Sequence, residues 1–379
     1  MNREYSQYEL FDLRRYLAPE EFGQITEYVN SKYNGKGWQG YASWGVPQNS
    51  RLWANFVKED EILVRASILS VGAPKPQRST KGFSSYGGSI PKLGHGLSID
   101  EADLLTMQEI SAQGSAALSD LMVDRLVYTL DKLIGGIHNE LTSMTYQALS
   151  TGKVNNADIN VDGVSVDLSY RIPSKHVITT AKAWEIAAAT PVEDMLSVQK
   201  YAEDNNIPYD HWEMTKTKYR QLVNHPAVLT LCKARMNILD ASHYVLTENE
   251  VVTVLHDLGI APIRVVDEKS AYEEDGVAKQ APESFVTSNI VLCNSGDLFE
   301  MKCANSVYVQ RAKMGPTVSS AMYSFVESRI AILDMWQESP VKNIIETELW
   351  ALPVMKNPNH ILIVKTSALN NETAPIPTA

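Results

Sequence analysis

One long amphipathic stretch most constrains how this chain can fold. Between Leu118 and Gly152 the apolar residues recur every three or four positions, which is the period of an α-helix with one buried side. At about 1.5 Å per residue, a helix of ~30 residues is ~45 Å long. The average helix of a globular protein has about 11–12 residues, so this stretch is predicted to be a scaffold for the rest of the fold.

Two consecutive glycines lie in the middle of the predicted helix. Gly135 and Gly136 together cost about 1–2 kcal/mol relative to alanine, so we expect either a bend or a close contact at this point. The predicted helix is bounded by Ser119 or Asp120 as a cap and by Gly152 as a C-terminal stop.

The composition excludes several classes of protein. The net charge is -11, which argues against a broad nucleic-acid-binding surface but not against a protein that encloses DNA. The three cysteines are odd in number and lack CxxC spacing, so they are predicted to be reduced thiols. The first residues are charged, unlike a signal peptide, and no apolar run reaches the roughly 18–20 residues needed to span a bilayer.

A basic segment precedes the long helix. Residues 61–71 have the composition of a strand, and the glycine- and proline-rich sequence that follows is predicted to be a projecting loop or disordered. No acidic residue occurs between Ile62 and Ile99. The basic residues of the segment are Arg65, Lys75, Arg78, Lys81 and Lys92. These five are candidate interface residues that contact the acidic surface of another copy; a solvated loop without fixed contacts is the alternative.

The remaining local signals predict a mixed helix-and-strand fold. Before the basic segment we expect a helix near Phe22–Val29 and an aromatic arm at 34–50. Helices are predicted after the capping box Ser98–Glu101 and at 191 onward, 215–223 and 247–257. Strands are predicted at 172–180, 260–266, 288–292, 325–333, 344–354 and 360–365, with a hairpin at Asp162-Gly163 and an acidic loop at 267–283.

No motif for catalysis, cofactor binding or metal binding stands out. Ser150-Thr151-Gly152-Lys153 lacks the first glycine of a phosphate loop and falls at a helix end, where the dipole disfavours phosphate. His138 has no second histidine at zinc-ligand spacing, and Cys293 and Cys303 are expected to be buried thiols. We therefore predict that the protein is not an enzyme and has no cofactor, although an enzyme of unknown class remains an alternative.

Short segments in a characteristic order carry a family resemblance. They are Ala148–Lys153, Trp184, Met214-Thr215, His225–Val228, Leu258–Ile260, Ser288–Leu292, Trp336–Pro340 and Leu352–Asn359. In this order they resemble the major capsid proteins of tailed bacteriophages, in particular the lambda-like family called major capsid protein E. The resemblance covers roughly residues 60–365.

The resemblance implies an α+β fold of the tailed-phage major capsid type. In that fold we expect an N-terminal arm at 1–55 over a neighbouring subunit and an extended two-stranded loop at 56–100. A peripheral domain would comprise 101–185 and 311–366, with the long helix as its spine. An axial domain would comprise 186–310, and 367–379 would be a flexible tail. The Gly135-Gly136 pair would be a bending point that suits several positions in a shell.

The resemblance also implies a function. The chain would assemble as pentamers and hexamers into an icosahedral head enclosing double-stranded DNA without sequence-specific binding. We expect a separate scaffolding protein, a portal and in some cases a decoration protein as partners, no membrane, and assembly in the host cytoplasm before residence in the virion. The alternative is the shell of an encapsulin-like bacterial nanocompartment, which shares the fold class and encloses enzymes instead of DNA.

Overall fold

The computed structural model describes most of the chain. The described residues are 19–58, 83–103, 105–106, 115–155, 166–237, 245–267, 271–274, 277–281, 283–294, 296, 298–313 and 321–367. The predicted strand at 61–71, the turn at Asp162-Gly163 and the tail beyond 367 lie outside these residues.

Seven helices and seventeen strands are defined within these residues. The helices are α1 (Pro19–Ser31), α2 (Ser115–Thr151), α3 (Pro191–Asp204), α4 (Lys216–Val223), α5 (Pro226–Arg235), α6 (Glu248–Asp257) and α7 (Val307–Lys313). The first strands are β1 (Ala42–Trp44), β2 (Leu52–Lys58), β3 (Phe83–Ser89), β4 (Lys92–Asp100), β5 (Lys153–Asn155), β6 (Asp167–Ser169), β7 (Val177–Thr179), β8 (His211–Thr215) and β9 (Ile263–Val266). The others are β10 (Ala271–Glu274), β11 (Val277–Gln280), β12 (Asn289–Cys293), β13 (Phe299–Ala304), β14 (Ala321–Val326), β15 (Ile330–Glu338), β16 (Val341–Met355) and β17 (Ile361–Lys365).

The described residues belong to two compact units, and the α+β prediction is confirmed. The first unit takes the described residues within Met1–Trp53, Ser89–Thr142 and Met301–Pro353. Its sheet has the order β1-β13-β16-β15-β14, and β4 pairs with β16. Its core packs one side of α2 against this sheet, through residues such as Leu130, Ile134, Ile332 and Ile345. The predicted long helix between Leu118 and Gly152 is confirmed, and it spans 37 residues from Ser115 to Thr151.

The second unit takes the described residues within Ala54–Gly88, Ser143–Glu300 and Val354–Ala379. Its sheet has the order β7-β17-β12-β8-β9, and its core includes buried residues of α3, α4, α5 and α6. These units divide the chain differently from the predicted domains, because β17 pairs with β12 and β7 rather than with strands of the first unit. The assignment of domains to positions in a shell stays a prediction.

Helices with local end signals were predicted well. Thr215 accepts a hydrogen bond from the backbone of Lys218 at the start of α4. Thr247 and Glu250 form a reciprocal capping box at the start of α6. The capping box predicted at Ser98 is wrong, since Ser98 lies in β4 and Asp100 accepts the backbone N–H of Asp103 at 3.1 Å.

Two predicted loops contain strands, and one predicted strand contains a turn. The glycine-rich loop prediction is wrong for 83–97, which holds β3 and most of β4. The predicted acidic loop contains the antiparallel hairpin β10–β11. The predicted single strand at 325–333 is interrupted by a turn at Glu327 and Ser328, which both have positive φ, between β14 and β15.

The described part of the predicted N-terminal arm packs within its own chain. Phe22 and Trp38 belong to the core of the first unit, and Tyr41 is buried as well. Residues 19–53 are therefore part of the folded unit, and the expected position of the arm over a neighbouring subunit stays a prediction.

Candidate functional site

Of the five predicted interface residues, the structure describes one. Arg65, Lys75, Arg78 and Lys81 lie in the segment 59–82, outside the described residues. Lys92 is the first residue of β4 and is half-exposed. The described residues therefore provide a local environment for Lys92 alone, and the role of the other four stays a prediction.

Lys92 has a carboxylate partner within its own chain. Its Nζ lies 2.6 Å from Oε2 of Glu348 on β16, whose side chain is only 8% exposed. The other oxygen of Glu348 accepts hydrogen bonds from Ser306 at 2.5 Å and from the Trp350 indole at 3.0 Å. Burial alone would raise the pKa of Glu348, but these donors and the Lys92 charge hold it below its usual value. This ion pair joins an edge strand to the centre of the sheet.

Glycines of β4 allow its backbone to approach β16 closely. The two strands pair antiparallel from Lys92 opposite Trp350 to Asp100 opposite Lys342. A methyl group on Gly94 would lie 2.5 Å from the carbonyl oxygen of Thr347, so only glycine fits this register. In a strand, glycine often marks such a close approach rather than a loop, which is why the loop prediction failed here.

The two glycines of α2 accommodate two side chains. A methyl group on Gly135 would lie 3.0 Å from Cζ of Tyr33 and closer still to its hydroxyl, and one on Gly136 would lie 2.7 Å from Nε2 of His95. The Tyr33 hydroxyl donates to the Asp131 carbonyl at 3.0 Å, and Nε2 of His95 lies 2.8 Å from the Leu133 carbonyl. Of the two expectations for this pair, the close contact is confirmed.

His138 of α2 belongs to a buried polar network that the sequence did not indicate. The indole of Trp38 donates to Nδ1 of His138 at 3.0 Å, and Nε2 of His138 lies 2.8 Å from Oδ1 of Asn30. The Asn30 amide in turn donates to Glu327 at 3.2 Å, and the Tyr33 ring stacks on His138 at 5.0 Å. Burial lowers the pKa of His138 to about 4. The histidine is therefore a neutral packing residue, and only its place on the helix could have indicated burial.

The second unit contains a buried cluster of polar residues that could resemble a catalytic site. His211 on β8 contacts Asp210 through Nδ1, and its Nε2 lies 2.7 Å from Glu213, which is fully buried. Cys293 on β12 lies 3.9 Å from the same nitrogen. Burial, followed by the charges of Glu213 and Asp210, raises the pKa of Cys293 far above its usual value. A thiol in this state is a poor nucleophile.

An apolar pocket lies in the second unit, beside α6. Its volume is about 390 Å³, and it is lined by Val252, Thr253, Leu255, His256, Ile260, Ala261, Pro262 and Ile263. Within the described part of the chain, no group of three or more His, Cys, Asp or Glu side chains is placed to hold a metal ion. None of the helices described here is both long and apolar enough to cross a membrane.

Comparisons with known proteins identify what this fold is similar to. The family model of phage major capsid protein E matches residues 47–366, whereas no curated protein matches the sequence. A putative capsid protein of a prophage from Escherichia coli CFT073 shares 15% identity over 91% of this chain and 98% of that chain, with a TM-score of 0.53. A phage-related protein from Bordetella bronchiseptica RB50 shares 10% identity over 92% and 98%, with a TM-score of 0.50. At these identities the two structures show a shared fold.

Proposed function

The chain belongs to the phage major capsid protein E family, and from this premise we propose that it assembles as pentamers and hexamers into the icosahedral head of a tailed phage. It is a structural capsid protein with the tailed-phage major capsid fold, and copies of it form the shell of the virion. The observation that supports the proposal is the family match over most of the chain, together with the scaffold helix and sheet of the first unit.

The finer parts of the proposal concern what the shell encloses and which partners it needs. We expect the shell to hold double-stranded DNA without sequence-specific contacts, in keeping with a net charge of -11. A separate scaffolding protein, a portal and a decoration protein are the proposed partners, and the host cytoplasm is the proposed place of assembly. We propose a structural role without catalysis, and the buried thiol of Cys293, whose pKa is raised by burial, is poorly suited to act as a nucleophile.

The basic segment before α2 is proposed to contact a neighbouring copy. Arg65, Lys75, Arg78 and Lys81 would lie on an acidic surface of that copy, where complementary charge fixes register more than affinity. Lys92 is assigned a different role, because its ammonium group is already paired with Glu348 at 2.6 Å. A charge-reversal experiment on the segment should therefore leave Lys92 unchanged.

Electron microscopy of the expressed protein tests the proposal. The chain is produced alone and together with a phage scaffolding protein, and particles are separated by sedimentation. Uniform shells, or rings of five and six subunits, are expected, whereas a monomer under both conditions would contradict it. Enclosed protein cargo in place of DNA in particles from infected cells would instead favour a nanocompartment.

Reversal of Lys75, Arg78 and Lys81 to glutamate tests the role of the segment. We expect fewer shells at low salt and an unchanged melting temperature of the monomer, because the proposal places the partners of these charges on another copy and not within the chain. Normal shell formation by this variant at low salt would refute the proposed contact.

A further inference from the structure

Helix α5 of the second unit exposes apolar side chains at its C-terminal end. Its buried side consists of Val228 and Cys232, which are both fully buried. On its other side Leu231 is 37% exposed, and Met236, directly after the helix, is 38% exposed. Arg235 is exposed between them, one turn after Leu231. We call Leu231, Arg235 and Met236 the α5 end surface.

The helix dipole explains only part of the α5 end surface. A basic residue in the last turn of a helix interacts favourably with the helix dipole, which suffices for Arg235. It gives no reason for two large apolar side chains beside that charge. A mixed basic and apolar surface of this kind is typical of a protein contact in which arginine and methionine are enriched.

The β10–β11 hairpin carries acidic residues and an exposed apolar residue, which complement the α5 end surface. Its strands pair from Ala271 opposite Gln280 to Glu274 opposite Val277. Val277 is 60% exposed, and residues 271–280 contain three acidic residues and one lysine. An isolated two-stranded hairpin is only marginally stable in water, so a hairpin with an exposed apolar residue gains stability when a second surface covers it.

We propose that the α5 end surface of one subunit binds the β10–β11 hairpin of a second copy of this chain. The inference rests on the proposed shell function. Arg235 would face Glu273, and Leu231 and Met236 would cover Val277. Because the two surfaces differ, the contact is heterologous and leads from one copy to the next around a ring. Each contact is small, and closure of the ring supplies the stability.

A charge exchange tests the pairing of Arg235 with Glu273. Arg235→Glu and Glu273→Arg should each lower the yield of shells about tenfold, because each places like charges together. The double variant restores opposite charges between copies and should recover most of the yield. The control is Lys200→Glu, which reverses an exposed charge on α3 of the same unit and should assemble normally. Failure of the double variant to recover, with all variants folded by circular dichroism, would overturn the pairing.

Disulfide trapping separates a contact between copies from one within a chain. One protein carries Met236→Cys and another carries Val277→Cys, so that a mixed disulfide can form only between two copies. The native cysteines Cys232, Cys293 and Cys303 are buried and should give little background.

The outcomes distinguish this inference from the proposed function. A disulfide-linked dimer in mixed shells, absent when Val307→Cys on α7 replaces Val277→Cys, supports the contact. Shells that form normally without that dimer overturn the contact and leave the capsid function intact. If the unmodified chain forms no shells or rings with a scaffolding protein, the proposed function itself is wrong.

Discussion

Replacement of Gly136 by alanine tests why the spine helix contains two glycines. In an open helix this change stabilises a protein by about 1 kcal/mol. Here the new methyl group would lie 2.7 Å from Nε2 of His95 and closer to Cε1 of the same ring. Non-bonded carbons stay about 3.5–4.0 Å apart, so the imidazole has to move and its 2.8 Å hydrogen bond to the Leu133 carbonyl is lost.

The net effect follows from three contributions. The lost hydrogen bond costs about 0.5–1.5 kcal/mol. Overpacking costs about 1–3 kcal/mol, and the lower half of that range applies because His95 is exposed and can swing into solvent. After the gain of about 1 kcal/mol in helix propensity, the folded subunit should be destabilised by about 1–2 kcal/mol.

Urea unfolding of the unassembled subunit measures this difference. Gly23→Ala is the matched control, since Gly23 lies in α1 with nothing within 4 Å of an added methyl group, and it should stabilise by about 0.5–1 kcal/mol. In a His95→Ala background, Gly136→Ala should become stabilising as well. The explanation is refuted if Gly136→Ala is as stable as the wild type, or if the two changes add within about 0.5 kcal/mol.

Two further predictions concern ionisable groups. The pKa of His138 is about 4 in the folded chain and about 6.5 when unfolded, so the unfolded chain binds more protons between these values. Stability should therefore fall by about 2 kcal/mol from pH 7 to pH 5 through this residue. His138→Gln should remove that part of the pH dependence in urea titrations, whereas the exposed His256→Gln should not; equal slopes in all three proteins would contradict the assignment. Lys92→Glu should destabilise the subunit by about 1–2 kcal/mol, since it sets a second carboxylate against Glu348, and Lys92→Met should cost less. The control is Lys36→Glu, which reverses an exposed lysine. If Lys92→Glu and Lys36→Glu have the same melting temperature, the ion pair contributes nothing to stability.

The helices that were predicted correctly have sequence signals that act over only a few residues. The caps at Thr215 and Thr247 act on backbone groups three residues away, and the period of α2 is visible from the helix itself. The order of weak family motifs then supplied the fold and the function. Each of these inferences uses information that is local or that is preserved in the order of segments.

Contacts between distant segments explain what the sequence missed. Strand β8 has a polar sequence, yet all five residues are buried, and within it Nε2 of His211 lies 2.7 Å from Oε1 of Glu213. The sequence predicts that Lys92 is available to another subunit, because its partner Glu348 belongs to a strand far along the chain. The charge of a residue is visible in the sequence, but whether that charge is available to another subunit depends on such a partner.

The roles of two glycines, in β4 and in α2, also depend on contacts with distant segments. The sequence predicts a loop at Gly94 and either a bend or a close contact at Gly136, and in the structure each glycine makes room for a neighbouring group. Gly94 admits the Thr347 carbonyl of β16, and Gly136 admits the ring of His95, which extends from β4 to α2. One glycine within β4 and one within α2 therefore let this strand contact both the sheet and the spine helix. A bend at Gly136 would have to break the hydrogen bond between His95 and Leu133, so any such bend in a shell should be accompanied by displacement of β4.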